Sequence, residues 1–132
     1  MRTIVVLNIF ICAVFSTVPF DLIDDWNAVA STYAEECISE SGADTETARK
    51  MFENHKLVDE EHIRCYFKCL SMKNKFMSED GVYDAKALEK GLQHVTPDIA
   101  ETCLSKYGNA QDLCRRAYLV ATCITEENYV TL

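Results

Sequence analysis

The sequence lacks the patterns that mark several large classes of protein. Beyond its first residues it has no apolar run long enough to span a bilayer, no internal repeat and no low-complexity tract. It has no alternation of apolar and polar residues of the kind that indicates a β-strand. His-Glu-x-x-His, Gly-x-Ser-x-Gly and phosphate-loop motifs are also missing. We therefore expect neither an enzyme nor a protein inserted in a membrane.

Positive charge is in short supply as well. The chain has 13 Lys and Arg residues against 21 Asp and Glu residues, and its formal net charge is −8. An acidic chain is a poor partner for nucleic acid and for anionic membrane surfaces, so we expect it to bind neither. No basic side chain falls clearly on an apolar helical stripe, and we expect Arg115 and Arg116 to face solvent.

The N-terminus has the pattern of a signal peptide. Arg2 precedes residues 4–15, which are apolar with one exception and too few to cross a membrane. We predict a signal peptide over residues 1–16 with cleavage after Ser16, and cleavage one or two residues later fits nearly as well. The mature domain would then span residues 17–132 and be secreted to an extracellular compartment.

Cysteines are the most informative residues in the chain. One of the seven lies in the predicted signal peptide, which leaves the even number that a fully paired secreted protein requires. The remaining six are Cys37, Cys65, Cys69, Cys103, Cys114 and Cys123. Six cysteines allow 15 pairings, and their number alone does not choose among them.

The spacing of the cysteines limits these pairings without settling them. Cys65 and Cys69 are four residues apart on one predicted helix, so each should reach a different neighbour rather than the other. Cys114 and Cys123 are nine apart and point to nearly opposite sides of a helix. A zinc site of His62 with Cys65 and Cys69 fits by spacing, but an oxidising compartment and an even cysteine count argue against it. We therefore expect no metal and no cofactor.

Apolar residues recur at helical spacing throughout the mature chain, which predicts an all-α fold of about six helices. The predicted helices cover residues 22–39, 44–54, 59–75, 84–92, 96–107 and 109–127. The predicted N-caps are Asp44, Asp59, Asp84, Thr96 (followed by Pro97) and Asn109. Residues 78–81 form a predicted turn, and residues 128–132 a short tail.

The full cysteine spacing resembles that of a known family. The pattern Cys37-x27-Cys65-x3-Cys69-x33-Cys103-x10-Cys114-x8-Cys123 is similar to the six-cysteine signature of the insect odorant-binding proteins, the pheromone and general odorant-binding proteins. The run Cys65-Tyr-Phe-Lys-Cys69-Leu is also typical of the family. The resemblance covers essentially the whole mature chain.

The resemblance implies a compact helical array around an internal apolar cavity, held by three interlocked disulfides. The implied pairs are Cys37–Cys69, Cys65–Cys114 and Cys103–Cys123. The implied function is that of an extracellular carrier, for example in sensillar lymph. Such a carrier binds and solubilises odorants, pheromones or similar molecules and delivers them to a chemosensory receptor. A homodimer is a further partner that the family allows.

Several apolar residues are candidates for the cavity wall, although without the resemblance each would be read as ordinary core. The candidates are Phe67, Leu70, Phe76, Leu88, Leu92, Ile99, Ala121 and Ile124. Trp26 and Tyr33 fit wall and core equally well. Because no basic side chain points inward, we expect a small, apolar and neutral ligand rather than a fatty-acid anion.

Polar and terminal residues complete the predicted site. Tyr118, Thr122 and Tyr129 are expected to offer hydrogen bonds to a ligand oxygen. Tyr129 and Val130 would form a lid if the tail folds back over the cavity, and a frayed terminus is the alternative. His94 lies near the predicted cavity mouth and suggests pH-dependent release, whereas the plainer interpretation of His55, His62 and His94 is that all three are solvated.

Other functions remain open at this point. A carrier of the same family in haemolymph or gland secretion has the same sequence features. A secreted, disulfide-rich interaction protein would have a filled core and an exposed apolar patch instead of a cavity. A saposin-like lipid-active domain is disfavoured, because that family places its cysteines in pairs near both ends.

Overall fold

The described part of the chain forms seven α-helices and one 3-10 turn. We describe it from a computed structural model, which describes residues 16–17, 20–53 and 57–131, with the backbone alone at residues 16, 17, 20, 130 and 131. The α-helices are α1 (Phe20–Ser31), α2 (Ala34–Ser41), α3 (Thr45–Arg49), α4 (Glu61–Lys73), α5 (Ala85–Gly91), α6 (Pro97–Tyr107) and α7 (Leu113–Glu127), and the 3-10 helix is Met51–Glu53. The predicted all-α fold is confirmed.

Three predicted helix starts are confirmed by their capping bonds. An Asp44 carboxylate oxygen accepts the backbone N–H of Thr47 at 3.0 Å, at the start of α3. Asp84 accepts from Ala87 at 3.2 Å in the same way, ahead of α5. At α6 the hydroxyl of Thr96 accepts from the backbone of Ile99 at 3.2 Å, and proline takes the first helical position. Each side chain satisfies a backbone donor that the helix leaves unpaired.

Two predicted starts are wrong. Asp59 does not cap α4, because its carboxylate pairs with the Arg64 guanidinium at 2.7 Å and Glu60 occupies the cap position without a side-chain bond. Asn109 does not cap α7, which begins three residues later than predicted. There Asp112 accepts the backbone N–H of Arg115 at 2.8 Å.

The first predicted helix is divided in two. The chain leaves the helical conformation at Thr32 and Tyr33, where Tyr33 has φ −120° and ψ 7°. The Ser31 hydroxyl just before the break donates to the Ala28 carbonyl at 2.8 Å. Ser and Thr favour such local bonds over helix continuation. The bend turns α1 and α2 toward different parts of the core.

Two residues near each end of the chain form a short β-ladder that the sequence did not predict. Ser16–Thr17 (β1) pairs antiparallel with Val130–Thr131 (β2), with Thr17 opposite Val130. The predicted signal peptide otherwise lies outside the described residues. Cleavage after Ser16 would remove one of the two residues of β1.

The three disulfides have the interlocked pairing that the resemblance implies. Their S–S distances are 2.06 Å for Cys37–Cys69, 2.15 Å for Cys65–Cys114 and 2.09 Å for Cys103–Cys123. They join α2 to α4, α4 to α7 and α6 to α7. Because α4 and α7 also make the most extensive contact between helices, these two helices form the centre of the fold.

The buried apolar side chains form two clusters. One, the α2–α4 cluster, consists of Cys37, Ala43, Ala48, Met51, Leu57, Ile63, Tyr66, Phe67, Cys69, Leu70, Met77, Ala117 and Tyr118. The other, the α1–α6 cluster, consists of Leu22, Ile23, Trp26, Phe76, Leu88, Val95, Ala100, Cys103, Val120, Cys123 and Ile124. Both use residues of α7, so this helix runs between them.

Candidate functional site

An apolar cavity lies where the two clusters meet. Its volume is about 80 Å³. Most of its wall comes from α1, α4, α5 and α7. The rest comes from the 3-10 turn, the α4–α5 loop (residues 74–84) and Leu92, which follows α5. The lining residues are Trp26, Val29, Ala30, Phe52, Phe67, Leu70, Ser71, Asn74, Phe76, Tyr83, Leu88, Leu92, Ala117, Val120, Ala121, Ile124 and Thr125.

The lining is apolar, and its polar side chains are already engaged within the protein. The Tyr83 hydroxyl donates to Ser71 Oγ at 3.3 Å. Asn74 Nδ2 donates to the Leu70 carbonyl at 2.9 Å, and Thr125 Oγ1 donates to the Ala121 carbonyl at 2.8 Å. No Asp, Glu, Lys, Arg or His belongs to the lining described above. Such a site favours an uncharged guest, because a buried unpaired charge is costly.

Aromatic rings form a continuous part of the wall. Trp26 and Phe52 meet edge to face with ring centroids 5.6 Å apart, and Phe52 meets Phe67 in the same way at 6.3 Å. The Trp26 indole N–H donates to the Gln93 carbonyl at 3.3 Å. This bond ties α1 to the loop that follows α5. The rings therefore link the two clusters across the cavity.

Tyr83 is the polar side chain of the lining whose ionisation is most affected. Burial raises the pKa of Tyr83 to about 12, against a smaller opposing effect of the hydrogen bond with Ser71. The hydroxyl therefore stays protonated across the physiological pH range and donates its hydrogen bond to Ser71 Oγ throughout.

Comparison with known protein families agrees with this geometry. A model of the PBP/GOBP family matches residues 23–127. The chain belongs to the PBP/GOBP family. This PBP/GOBP protein is also similar to the crystal structure of the Locusta migratoria odorant binding protein lmigOBP1, with a TM-score of 0.57 and 18% identity over 85% of each chain. That likeness supports the fold. No curated protein matches the sequence significantly.

Membership of the PBP/GOBP family does not say where each predicted wall residue lies, but the structure does. Seven predicted residues lie together around the cavity, and Trp26 lies with them. The seven are Phe67, Leu70, Phe76, Leu88, Leu92, Ala121 and Ile124. Their role in binding a ligand stays a prediction.

Three further predicted residues lie away from the cavity. Ile99 is half-buried on α6, which packs behind α7 and contributes nothing to the lining. Tyr118 is buried in the α2–α4 cluster, where its hydroxyl donates to the Leu57 carbonyl at 3.0 Å. Tyr33 also packs against that cluster. All three residues pack against other parts of the protein instead.

Thr122, which was predicted to offer a hydrogen bond to the ligand, has a buried hydroxyl that does not line the cavity. Its Oγ1 is buried, lies outside the lining and makes no hydrogen bond of standard geometry within the described part of the chain. It is close enough to the Tyr118 hydroxyl to lower the pKa of Tyr118, which burial raises by a larger effect. Thr122 therefore belongs to the polar surroundings of Tyr118.

Neither Asn128 nor Tyr129, the two tail residues whose side chains are described, belongs to the lining of the cavity. Tyr129 is half-buried against the α1–α6 cluster and outside the lining. Val130 pairs through its backbone with Thr17, and its side chain is not described. The predicted lid therefore remains a prediction.

Nine lining residues were not among the predicted site residues. Val29, Ala30, Ala117 and Val120 lie on predicted apolar stripes, and Phe52 on a predicted inward face. A fuller use of helical periodicity would have included them. Ser71, Asn74, Tyr83 and Thr125 are polar or lie in a loop, and no pattern in the sequence points to them.

The zinc alternative is wrong, because both Cys65 and Cys69 are consumed in disulfides. Cys37, Glu40 and Cys69 lie close enough to hold an ion, but their two sulfurs are bonded to each other. His62 Nδ1 lies 2.9 Å from the Ser41 carbonyl, at the end of α2.

His94 does not belong to the lining of the cavity. His94 is exposed in the α5–α6 loop, with φ 62°, next to the Gln93 carbonyl that receives the Trp26 indole N–H. His55 lies outside the described residues. No helix in the described part of the chain is long and apolar enough to cross a membrane.

Proposed function

We propose that this protein is an extracellular carrier that binds a small, neutral, apolar molecule in the cavity, solubilises it and delivers it to a chemosensory receptor. One observation carries the proposal: the cavity is apolar and has no charged side chain in its lining. Ligand sites of this kind exclude water from an apolar guest and use few polar groups to orient it.

The polar groups of the lining suggest how a ligand is oriented. Ser71 Oγ accepts the Tyr83 hydroxyl, so the Ser71 proton can be donated to an oxygen of the ligand. This arrangement suits a ligand oxygen that accepts a hydrogen bond, as in an aldehyde, ester or alcohol. A carboxylate would enter without a cationic partner and would lose its hydration.

The volume of the cavity suggests a limit on ligand size. An apolar cavity of about 150 Å³ is large enough to hold benzene, and this one is about 80 Å³. A ligand of pheromone length therefore requires side chains to move outward. Phe52 and Leu92 are half-buried members of the lining, and we propose that they move first.

The first experiment is a titration of the mature, fully oxidised protein with the fluorescent apolar probe 1-NPN. We expect saturable binding of about one probe per chain, displaced by neutral alcohols, aldehydes or esters more readily than by fatty acids of the same length. Trp26 gives an independent signal, because the only tryptophan in the chain lies in the cavity wall.

Two alanines on α1 provide a matched pair of variants. Ala30 lines the cavity, whereas Ala28 is exposed on the same helix. Ala30→Phe should fill the cavity and weaken probe binding roughly tenfold or more, which corresponds to about 1.4 kcal/mol. Ala28→Phe should bind as wild type does. Absence of saturable binding to the folded wild-type protein would refute the carrier proposal.

An interaction protein with a filled core has less support. Among the described residues the only large apolar side chain that is exposed is Val82, at 63%, which is too little for an apolar docking patch. A carrier outside the olfactory system has the same cavity, and the tissue in which the gene is expressed distinguishes the two roles.

A further inference from the structure

The α4–α5 loop supplies three cavity residues although it contains no helix. Asn74, Phe76 and Tyr83 come from this loop. Its ends are bonded to each other, because the Asp84 N–H donates to the Phe76 carbonyl at 2.8 Å and Met77 forms a β-bridge with Tyr83. Phe76 and Tyr83 are therefore part of one hairpin, and movement of its tip moves both.

Arg116 of α7 holds the tip of this hairpin. Its Nη1 donates to the Gly81 carbonyl at 2.6 Å, and its Nε donates to the Ala110 carbonyl at 2.6 Å. Arg116 is half-buried, so the sequence-based expectation that it faces solvent is wrong. Charge-assisted bonds of this length are among the stronger hydrogen bonds in proteins.

Gly81 brings the tip of the hairpin against α7. Its φ is +86°, a conformation that favours glycine. A Cβ at this position would collide with the side chains of Leu113 and Arg116. The contact is therefore close as well as bonded, and it leaves no gap for a side chain at residue 81.

The opposite wall of the cavity begins one residue after Arg116. Ala117 lines the cavity, followed along α7 by Val120, Ala121 and Ile124. Arg116 thus joins the helix that forms one wall to the hairpin that forms another.

We infer that Arg116 is a positioning residue that sets the distance between the α4–α5 hairpin and α7, and thereby the size of ligand that the cavity accepts. This inference rests on the proposed function, because it concerns ligand size. The planar guanidinium donates to two carbonyls in different directions. A lysine ammonium is a point charge on a flexible stem and does not reproduce that fork.

The test compares Arg116→Ala and Arg116→Lys with Arg115→Ala as the matched control. Arg115 is the neighbouring residue, is exposed and makes its capping contact through its backbone N–H, so its removal changes the net charge equally. The first readout is hydrogen exchange at the amides of Gly81, Val82 and Asp84. Loss of the hydrogen bonds from the Arg116 guanidinium should accelerate exchange roughly tenfold in Arg116→Ala. The acceleration should be smaller in Arg116→Lys and absent in Arg115→Ala.

The second readout is ligand size selectivity, which a merely stabilising residue would not change. Hexanol and dodecanol compete with 1-NPN, and the ratio of their dissociation constants is measured for each variant. We expect the ratio to shift several-fold toward dodecanol in Arg116→Ala and by an intermediate amount in Arg116→Lys. The ratio should be unchanged in Arg115→Ala.

The two readouts separate the possible failures. Exchange rates and ratios equal to those of Arg115→Ala would overturn the inference, and so would faster exchange with an unchanged ratio. If neither alcohol displaces the probe from wild type, the proposed function fails instead, and the exchange rates still decide whether Arg116 holds the hairpin. Should Arg116→Ala not fold, Arg116→Lys carries both readouts.

Discussion

Two residues of α4 show that burial does not distinguish a filled core from a cavity wall. Ile63 and Leu70 lie two turns apart on one face of the helix and are 1% and 7% exposed. Both belong to the α2–α4 cluster, but only Leu70 lines the cavity. The cavity therefore lies beside the C-terminal end of α4, and residues of α1, α5 and the α4–α5 loop line its other sides.

Two of the disulfides differ in how they are placed relative to the cavity wall. Cys65–Cys114 joins α4 and α7, and both helices contribute residues to the lining. Cys103–Cys123 joins α7 to α6, which packs behind the cavity wall and supplies none of the lining residues described above. The two bridges thus stabilise the same fold but stand in different relations to the site.

Removal of these bridges should have the largest effect on stability. The double variant Cys65→Ala with Cys114→Ala opens a sequence separation of 49 residues and should lower the free energy of unfolding by about 4 kcal/mol. Cys103→Ala with Cys123→Ala opens a separation of 20 and should lower it by about 3 kcal/mol. Guanidinium chloride unfolding measures both.

Ligand binding should separate the two bridge variants more sharply than stability does. Under conditions where both are folded, loss of Cys65–Cys114 should weaken 1-NPN binding, because α4 and α7 can move apart at the cavity. Loss of Cys103–Cys123 should leave binding close to wild type. Equal weakening in both variants would show that α6 supports the wall as directly as the α4–α7 link does.

Truncation of Ile63 and Leu70 should have the next largest effects. Ile63→Ala removes a side chain from a filled region and should lower the free energy of unfolding by about 3 kcal/mol, whereas Leu70→Ala should lower it by about 2 kcal/mol. The difference arises because Leu70 already faces empty space and has fewer packing contacts to lose. Unfolding in denaturant measures both values.

The same two variants should differ in their effect on the site. Leu70→Ala enlarges the cavity, so long alcohols should gain affinity relative to short ones, while Ile63→Ala should leave this preference unchanged. Equal losses of stability, with no change of preference in Leu70→Ala, would mean that the C-terminal end of α4 is packed as tightly as its N-terminal end.

Much of the fold was predictable because its signals are local. Asp44, Asp84 and Thr96 each cap the helix that follows, as their residue type predicts. Asp59 and Asn109 have equally good capping side chains, but neither occupies the cap position. A local ion pair with Arg64, five residues along the chain, decides the first case, and the better-placed Asp112 the second. Residue type alone does not choose between such neighbouring side chains.

The site was less predictable, because a cavity depends on what faces each residue. Helical periodicity placed Leu88 and Ile124 inward, and both line the cavity. The resemblance suggested Ile99 and the pocket chemistry suggested Tyr118, but both pack against other parts of the protein. Tyr83 had no signal at all, since its position depends on a hairpin held by Arg116. Periodicity identifies the buried face, and only packing between elements shows where space is left.

The smallest predicted effect concerns two tyrosines, one in each region. Tyr118 lies in the filled region and Tyr83 in the cavity wall, where burial raises the pKa of Tyr83 to about 12. The unfolded chain therefore releases the Tyr83 proton first, near pH 10, and the folded protein retains it. Stability that is fully present below pH 10 should fall as the pH rises toward 12.

At pH 11 the Tyr83 contribution to this loss should be about 1 kcal/mol relative to pH 9. Burial also raises the pKa values of Tyr66, Tyr118 and Tyr129, so wild type should lose more than this. Tyr83→Phe isolates the contribution, because its stability should fall less between pH 9 and pH 11 than that of wild type, by about the same 1 kcal/mol. A fall equal to that of wild type would show that the Tyr83 hydroxyl is hydrated, and that water enters the cavity from the side of the hairpin.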